Sequence, residues 1–313
     1  MNARSNKPSR PRRPACLGRS PTDALERSLF ELIRRTSSDL TSDVEVALRA
    51  AQAREDKGTL AHAPLAAILE NIALARAKDA PLCQDTGTIL FHVQAPPDAN
   101  PVLFAAAAKA AVSAATRAGY LRQNTIDAVN GDAYPLNLAS GSPQIDFEHA
   151  PRDTYDVRLI MKGGGSENVS RQYALPDEVL GADRSLEGVR RCILDAIVRA
   201  QGHGCAPGIL GVCVGGDRAQ GFACAKQQFL RKLDDRAAAT PLAELEERVM
   251  RDSLQLGIGP MGLGGRATIL GVKIGALSRL PASFFVTVSY MCWAMRRRGV
   301  LLDSVGGLRR WLY

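Results

Sequence analysis

The sequence predicts an α+β fold in which a helical amino-terminal part precedes mixed β-sheets flanked by helices. Two observations carry this. Apolar residues recur at three- and four-residue spacing through positions 22–78. Beyond them, helical periods alternate with short β-branched runs closed by glycine. No internal repeat is present.

Each element follows in order. Leu25, Leu29, Leu32 and Ile33 mark the apolar face of a first helix. Ser42 with Glu45 is expected to cap a second as a capping box, and Leu65, Ile68, Leu69 and Ile72 line a third. Ile89–Val93 reads as a short strand and the alanine-rich stretch Ala105–Ala115 as a helix. Asn124–Arg152, with its Gly, Pro, Asn and Asp residues, is expected as loop. Val157–Met161 is a strand ending at Lys162-Gly-Gly-Gly-Ser166. Leu186, Val189, Ile193 and Ile197 form a helix closing near Gly202, and Ile209–Val214 is a buried-strand pattern ended by Gly215-Gly216. Thr240 is the expected cap of the next helix, with Pro241 at its first position, Leu242, Leu245 and Val249 inward, and Gly257 as terminator. Strands through Ile269–Ile274 and Phe284–Tyr290 follow, the last leading into Met291-Cys292-Trp293.

The 313 residues suffice for one or two sizeable cores, and 46% hydrophobic with 23% charged residues is an ordinary globular composition. The net charge of +8 is local. Arg4, Lys7, Arg10, Arg12, Arg13 and Arg19 supply six of it within the first twenty residues, leaving +2 for the rest. This proline-rich basic tail reads as disordered. With no aromatic platform or recognisable module behind it, nucleic-acid binding is not expected. The tail lacks the apolar region of a secretory signal, and no stretch approaches the ~20 apolar residues of a membrane span. A cytoplasmic protein is expected.

Seven cysteines at 16, 83, 192, 205, 213, 224 and 292, without any C-x-x-C pair, argue against a disulfide framework and against zinc ribbons. Cys192 on a helical apolar face and Cys213 within a buried strand read as core residues. Cys83, Cys205 and Cys292 differ, because each stands at a junction between a loop and an element. Three thiolates would leave one iron of a [4Fe–4S] cluster open as a Lewis acid. Dispersed cysteines are more often structural, so spacing alone leaves both readings open. His203 reads as an exposed helix-end histidine rather than a ligand. The glycine turns Lys162–Ser166, Val214–Asp217 and Gly262–Gly265 are either tight turns or anion nests, and none matches a phosphate loop or dinucleotide fingerprint.

Five ordered segments, PLCQDTGT, KGGGSEN, GCAPGILGVCVGG, GIGPMGLGG and PASFFVTVSYMCWAMRR, together resemble the α-subunit or amino-terminal domain of the iron–sulfur class I fumarases, with the tartrate dehydratases close by. The similarity covers roughly residues 22–298, leaving 1–21 as the tail and 299–313 as a carboxy-terminal extension. It implies a hydro-lyase acting on a dicarboxylate, fumarate/malate first and tartrate second, with a [4Fe–4S] cluster held by Cys83, Cys205 and Cys292. By motif position it implies substrate contacts from Gln84, a proton-transfer role for Asp85, carboxylate pairing by Arg122, and a substrate pocket at the turn of Lys162, Gly163, Gly164 and Gly165. It further implies that a carboxy-terminal domain or separate β-subunit completes the pocket. The last motif ends near the chain end, so the expected partner is a β-subunit in a two-fold αβ assembly, met by exposed apolar surface around Met291-Cys292-Trp293. Three departures stand out. Leu280 occupies a place where histidine is usual, Phe285 stands where proline is usual, and an Asn-Thr-rich segment is reduced to Asn137–Pro143. Leu280 in particular supports the alternative of a catalytically weak cluster-binding paralogue or assembly partner.

Overall fold

The computed structural model describes residues 21–313, so most of the expected basic tail, with Cys16, lies outside the described residues. Helices α1 (Pro21–Ser38), α2 (Ser42–Ala53) and α3 (His62–Lys78) open the fold. They precede β1 (Thr88–Ala95), α4 (Pro101–Arg117), β2 (Gln144–His149), β3 (Tyr155–Lys162), the short α5 (Gly164–Asn168) and β4 (Arg171–Ala174). Then come α6 (Leu186–Ala200), β5 (Gly208–Val214), α7 (Arg218–Gln227), α8 (Thr240–Ser253), β6 (Ile269–Ala276), β7 (Phe285–Met291), β8 (Arg296–Leu302) and β9 (Leu308–Trp311). Two mixed sheets result, in the orders β2-β1-β3-β8-β9 and β4-β7-β5-β6. Among the described residues no helix is long and apolar enough to cross a membrane.

Three cores explain this arrangement. Leu25, Leu29, Leu32 and Ile33 of α1 and the alanine face of α4 pack on Phe91, Val157 and Val300 of the first sheet. Val189, Ile193 and Ile197 of α6, with Leu245 and Val249 of α8, cover Leu210, Val212 and Val286 of the second. The third core lies between the sheets. Val44, Leu48, Leu65 and Ile72 of α2 and α3 meet Leu90 and Ile160 from one sheet and Ile209, Leu270 and Met291 from the other. Trp293 also packs there and is only 9% exposed. The apolar surface expected to be exposed at Met291 and Trp293 is therefore buried, because the bridging core consumes it.

Local chemistry corrects several boundaries. The box expected at Ser42 and Glu45 does not form. Thr41 precedes α2 without capping it by its side chain, its hydroxyl accepting instead from Arg297, while Glu45 pairs with Arg49 and Arg76 at 2.6 Å each. A capping box does exist at Asp217 and Gln220, at the head of α7. Ala239, not Thr240, precedes α8, and Leu242 is only half-buried. The segment expected as loop contains β2, which pairs in parallel with β1 from Leu90↔Gln144 to Ala95↔His149. Its polar alternation suits an edge strand. Most of β8 and all of β9 lie beyond residue 298, with Val300 and Leu302 fully buried, so the expected extension carries part of the first sheet.

Arg297 of β8 clasps α2 to the sheet. Its guanidinium donates to Thr41 Oγ1 at 3.0 Å, to Asp43 and to the Arg231 carbonyl at 3.1 Å. Asp43→Ala would leave that buried charge unpaired, and should destabilise the chain by about 3–5 kcal/mol in denaturant titrations. Burial pushes the Asp43 carboxyl up, but the Arg297 charge and hydrogen bonds from Thr41 and Leu233 outweigh it and hold it below the ordinary carboxylate value. This stability is thus full above a pH of about 4 and is lost as pH falls through the lower folded value. Asp43→Ala should flatten that acid limb.

Candidate functional site

Strand register brings the five motifs to one place. At one end of the first sheet Thr88 pairs with Lys162 and Met161 with Arg296. At one end of the second Ile209 pairs with Met291, setting the loop before β5 beside the turn after β7. Backbone contacts stitch these ends together. A Cβ on Gly87 would lie 2.7 Å from the Lys162 carbonyl, so the first two motifs touch directly. The Met261 N–H donates to the Ala206 carbonyl at 2.9 Å, and the Trp293 N–H donates to the Cys205 carbonyl at 3.3 Å.

Cys83, Cys205 and Cys292 all stand at this junction. Cys205 is exposed, while Cys83 and Cys292 are partly buried. Burial first, then the charges of Cys83 and Asp85, push the Cys205 thiol up. Burial also pushes Cys292 up, against the lowering charge of Arg296, with Cys205 and Cys83 adding to the rise. The three sulfurs are therefore within electrostatic reach of one another. Among the described residues no group of His, Cys, Asp or Glu converges closely enough for a single metal ion. Thiolates of an iron–sulfur cluster each bind a different iron and stand further apart.

The loop bearing Cys205 is shaped by one ring. Tyr290 of β7 presses on both flanking glycines, where a Cβ would lie 2.4 Å from its ring at Gly204 and 2.2 Å at Gly208. Cys205 itself adopts a left-handed backbone, with φ of 55°. For a residue with a Cβ this costs about 1–3 kcal/mol, a strain found most often at functional positions.

Asp85 is held from two sides. Its Oδ1 accepts from the Gly87 N–H at 3.0 Å and its Oδ2 from the Gly164 N–H at 2.8 Å. At Gly163 a Cβ would lie 2.9 Å from Oδ2, so any side chain there would displace the Asp85 carboxylate. Gly164 and Gly165 are exposed beside it, as is Gln84. Arg122 is exposed too, and its backbone is tied to the first motif, its N–H donating to Thr86 Oγ1 at 3.1 Å. Lys162 differs from expectation. Its ammonium is buried and lies 2.5 Å from Glu167 Oε2, without the angle of a hydrogen bond, so only its backbone reaches the turn. Burial pushes Lys162 down despite the Glu167 charge. His203 is exposed as expected, and so is Leu280, 74% accessible on the loop before β7.

A cleft of about 360 Å³ adjoins Asp85, lined by Thr86, Asn124, Asn137, Ser140, Ser142 and Gly164. The shortened segment from Asn137 thus forms one wall. A larger cavity of about 650 Å³ lies around His92, Arg158 and Tyr313, away from Asp85, and neither it nor the cleft is lined by Cys83, Cys205 or Cys292. Sequence reasoning missed Tyr290, Asn137 and Arg296. Asn137 is 4% exposed and its side chain receives the N–H groups of Asn124 and Thr125. The available signal was Arg296-Arg297-Arg298, three charges in a segment otherwise reading as strand.

Residues 26–300 match the family described as Fumarate hydratase (Fumerase). A protein provisionally named fumarate hydratase class I from Geobacillus stearothermophilus is 45% identical over 295 residues, which are 93% of this chain and 57% of that protein. The chain therefore spans little more than half the length of that relative. A provisionally named L(+)-tartrate dehydratase subunit alpha from Methanocaldococcus jannaschii is 32% identical over 88% of this chain and 97% of its own. The L(+)-tartrate dehydratase subunit alpha of Escherichia coli K12 is 32% identical over 71% and 72%. With the five motifs gathered at one junction and the match running through both sheets, the chain belongs to the fumarate hydratase (Fumerase) family.

Proposed function

We propose that the chain is the α-subunit of an iron–sulfur-dependent hydro-lyase that adds or removes water on a C4 dicarboxylate, fumarate/malate first and tartrate second. The supporting observation is the meeting of Cys83, Cys205 and Cys292, far apart in sequence, beside a carboxylate that is already oriented. Three thiols with a buried, partly unpartnered guanidinium behind them suit an anionic cluster. When bound, a [4Fe–4S] cluster with three thiolates keeps one iron open as a Lewis acid for hydroxyl and carboxylate oxygens.

The remaining work falls to side chains. Each Asp85 oxygen keeps an acceptor site beyond its backbone N–H bond, so the carboxylate can take or return the proton at the reacting carbon. Arg122 offers a planar fork to a substrate carboxylate, Gln84 an amide, and Gly163–Gly165 backbone close to the substrate. The ammonium of Lys162, paired with Glu167, contributes charge from below rather than contact. The relatives named as alpha subunits support a separate β-subunit as partner, and the two-fold αβ assembly and cytoplasmic setting belong to the same reading.

Anaerobic reconstitution should bring about four irons per chain, one of them labile. With the β-subunit added, fumarate, malate and tartrate assays should detect water addition or loss. Stoichiometric zinc instead of iron would overturn the reading. A loaded cluster without turnover of any of the three would leave the weak-paralogue reading in its place.

A further inference from the structure

Three consecutive arginines, Arg296, Arg297 and Arg298, are 1%, 1% and 8% exposed. A buried guanidinium without a counter-charge is strongly unfavourable. Two of the three are matched, Arg297 with Asp43 and Arg298 with Asp39. Arg296 is the exception. Among the described residues it forms no ion pair, and its Nε and Nη1 are buried without hydrogen-bond partners. Yet it is well placed, since its Nη2 lies 3.8 Å from where a Cβ of Gly163 would stand, beside the turn that holds Asp85. Its charge also bears on Cys292.

A second cation group lies nearby. Lys162 and Lys226 share Glu167, at 2.5 and 2.7 Å, so this trio carries one surplus positive charge. The charge of Cys292 bears on Lys162 as well. Positive charge thus borders Cys292, and although the Asp85 carboxylate stands by the same Gly163 position without pairing with Arg296, the Nε and Nη1 of that arginine have nothing to receive them.

We propose that Arg296 is the built-in counter-ion of the metal cluster, donating its free N–H groups to the anionic sulfur held through Cys292. This rests on the cluster reading above and adds to it a positioning residue outside the ligand set. Donation to sulfur withdraws charge from it, favours the more reduced cluster and slows iron loss. In the metal-free chain the same guanidinium is a liability, being buried with two nitrogens unpartnered.

These two effects have opposite signs, and that separates the proposal from a merely structural role. The full chain, Arg296→Met and Arg296→Lys would be compared for chelator resistance after anaerobic loading with iron and sulfide. Their reduction potentials, followed by electron paramagnetic resonance, and their metal-free thermal melts would be measured alongside. Arg296→Met should hold iron ~10–100-fold more weakly and shift the potential to more negative values. Its metal-free melt should be equal to or above that of the parent, because an unmatched buried charge has gone. Arg296→Lys should restore part of the iron affinity. Unchanged iron affinity and potential in Arg296→Met, with a cluster present in the parent, would overturn the proposal while sparing the cluster reading. A metal-free Arg296→Met chain that melts well below the parent, or fails to fold, would overturn it in favour of a structural role. A parent that takes up no iron would remove both.

Discussion

Cys205→Ser is expected to lose essentially all iron after anaerobic reconstitution, and Cys83→Ser and Cys292→Ser should do the same. Serine keeps the volume of the side chain, but its hydroxyl does not ionise near neutral pH, so one anionic ligand of three disappears. Cys192→Ser should load normally. Its thiol lies in the core between α6 and the second sheet, where burial raises it to about 12. Cys213 and Cys224 form a separate buried pair and serve as a further control. Iron and sulfide analysis reads the result directly. Normal loading in any of the three ligand variants would remove that cysteine from the site.

Asp85→Asn is expected to keep the cluster and to lower turnover ~10²-fold or more. The reason is visible in the hydrogen bonds. Asp85 accepts one backbone N–H on each oxygen, whereas an amide has a single acceptor and must turn its NH₂ toward one of those donors. The variant therefore loses both the proton acceptor and part of its orientation. Iron content equal to the parent, combined with the loss of turnover, would locate the effect in chemistry rather than folding. Near-normal turnover would take Asp85 out of the mechanism.

How much of this was legible beforehand varies with the kind of interaction involved. Helices α1 and α3 and strands β1, β3, β5, β6 and β7 follow from apolar periodicity, because a single face buried against one core leaves a period in the chain. Strands β2, β4 and β9 did not stand out. They are short, half-exposed edges whose pairing partner, not their own pattern, makes them strands. The cap at α2 failed for a related reason. Its side chains had better partners in Arg297, Arg49 and Arg76, which no local rule can see.

The site divides in the same way. The family could be read from five motifs, and the proposal of Cys83, Cys205, Cys292 and Asp85 as site residues comes from the same short stretches of fixed chemistry, while the orientation of Asp85 came only with the fold. Only the tertiary structure decided that Lys162 turns inward to Glu167, that Met291 and Trp293 fill a core rather than a docking face, and that Tyr290 shapes the loop of Cys205. It alone decided which arginine of three stays unmatched. Periodicity and motif chemistry are properties of neighbours along the chain. Burial of a charge, the approach of a ring to a glycine and the balance of cations around a sulfur depend on how whole elements pack, and exist only once both sheets have packed on their shared core.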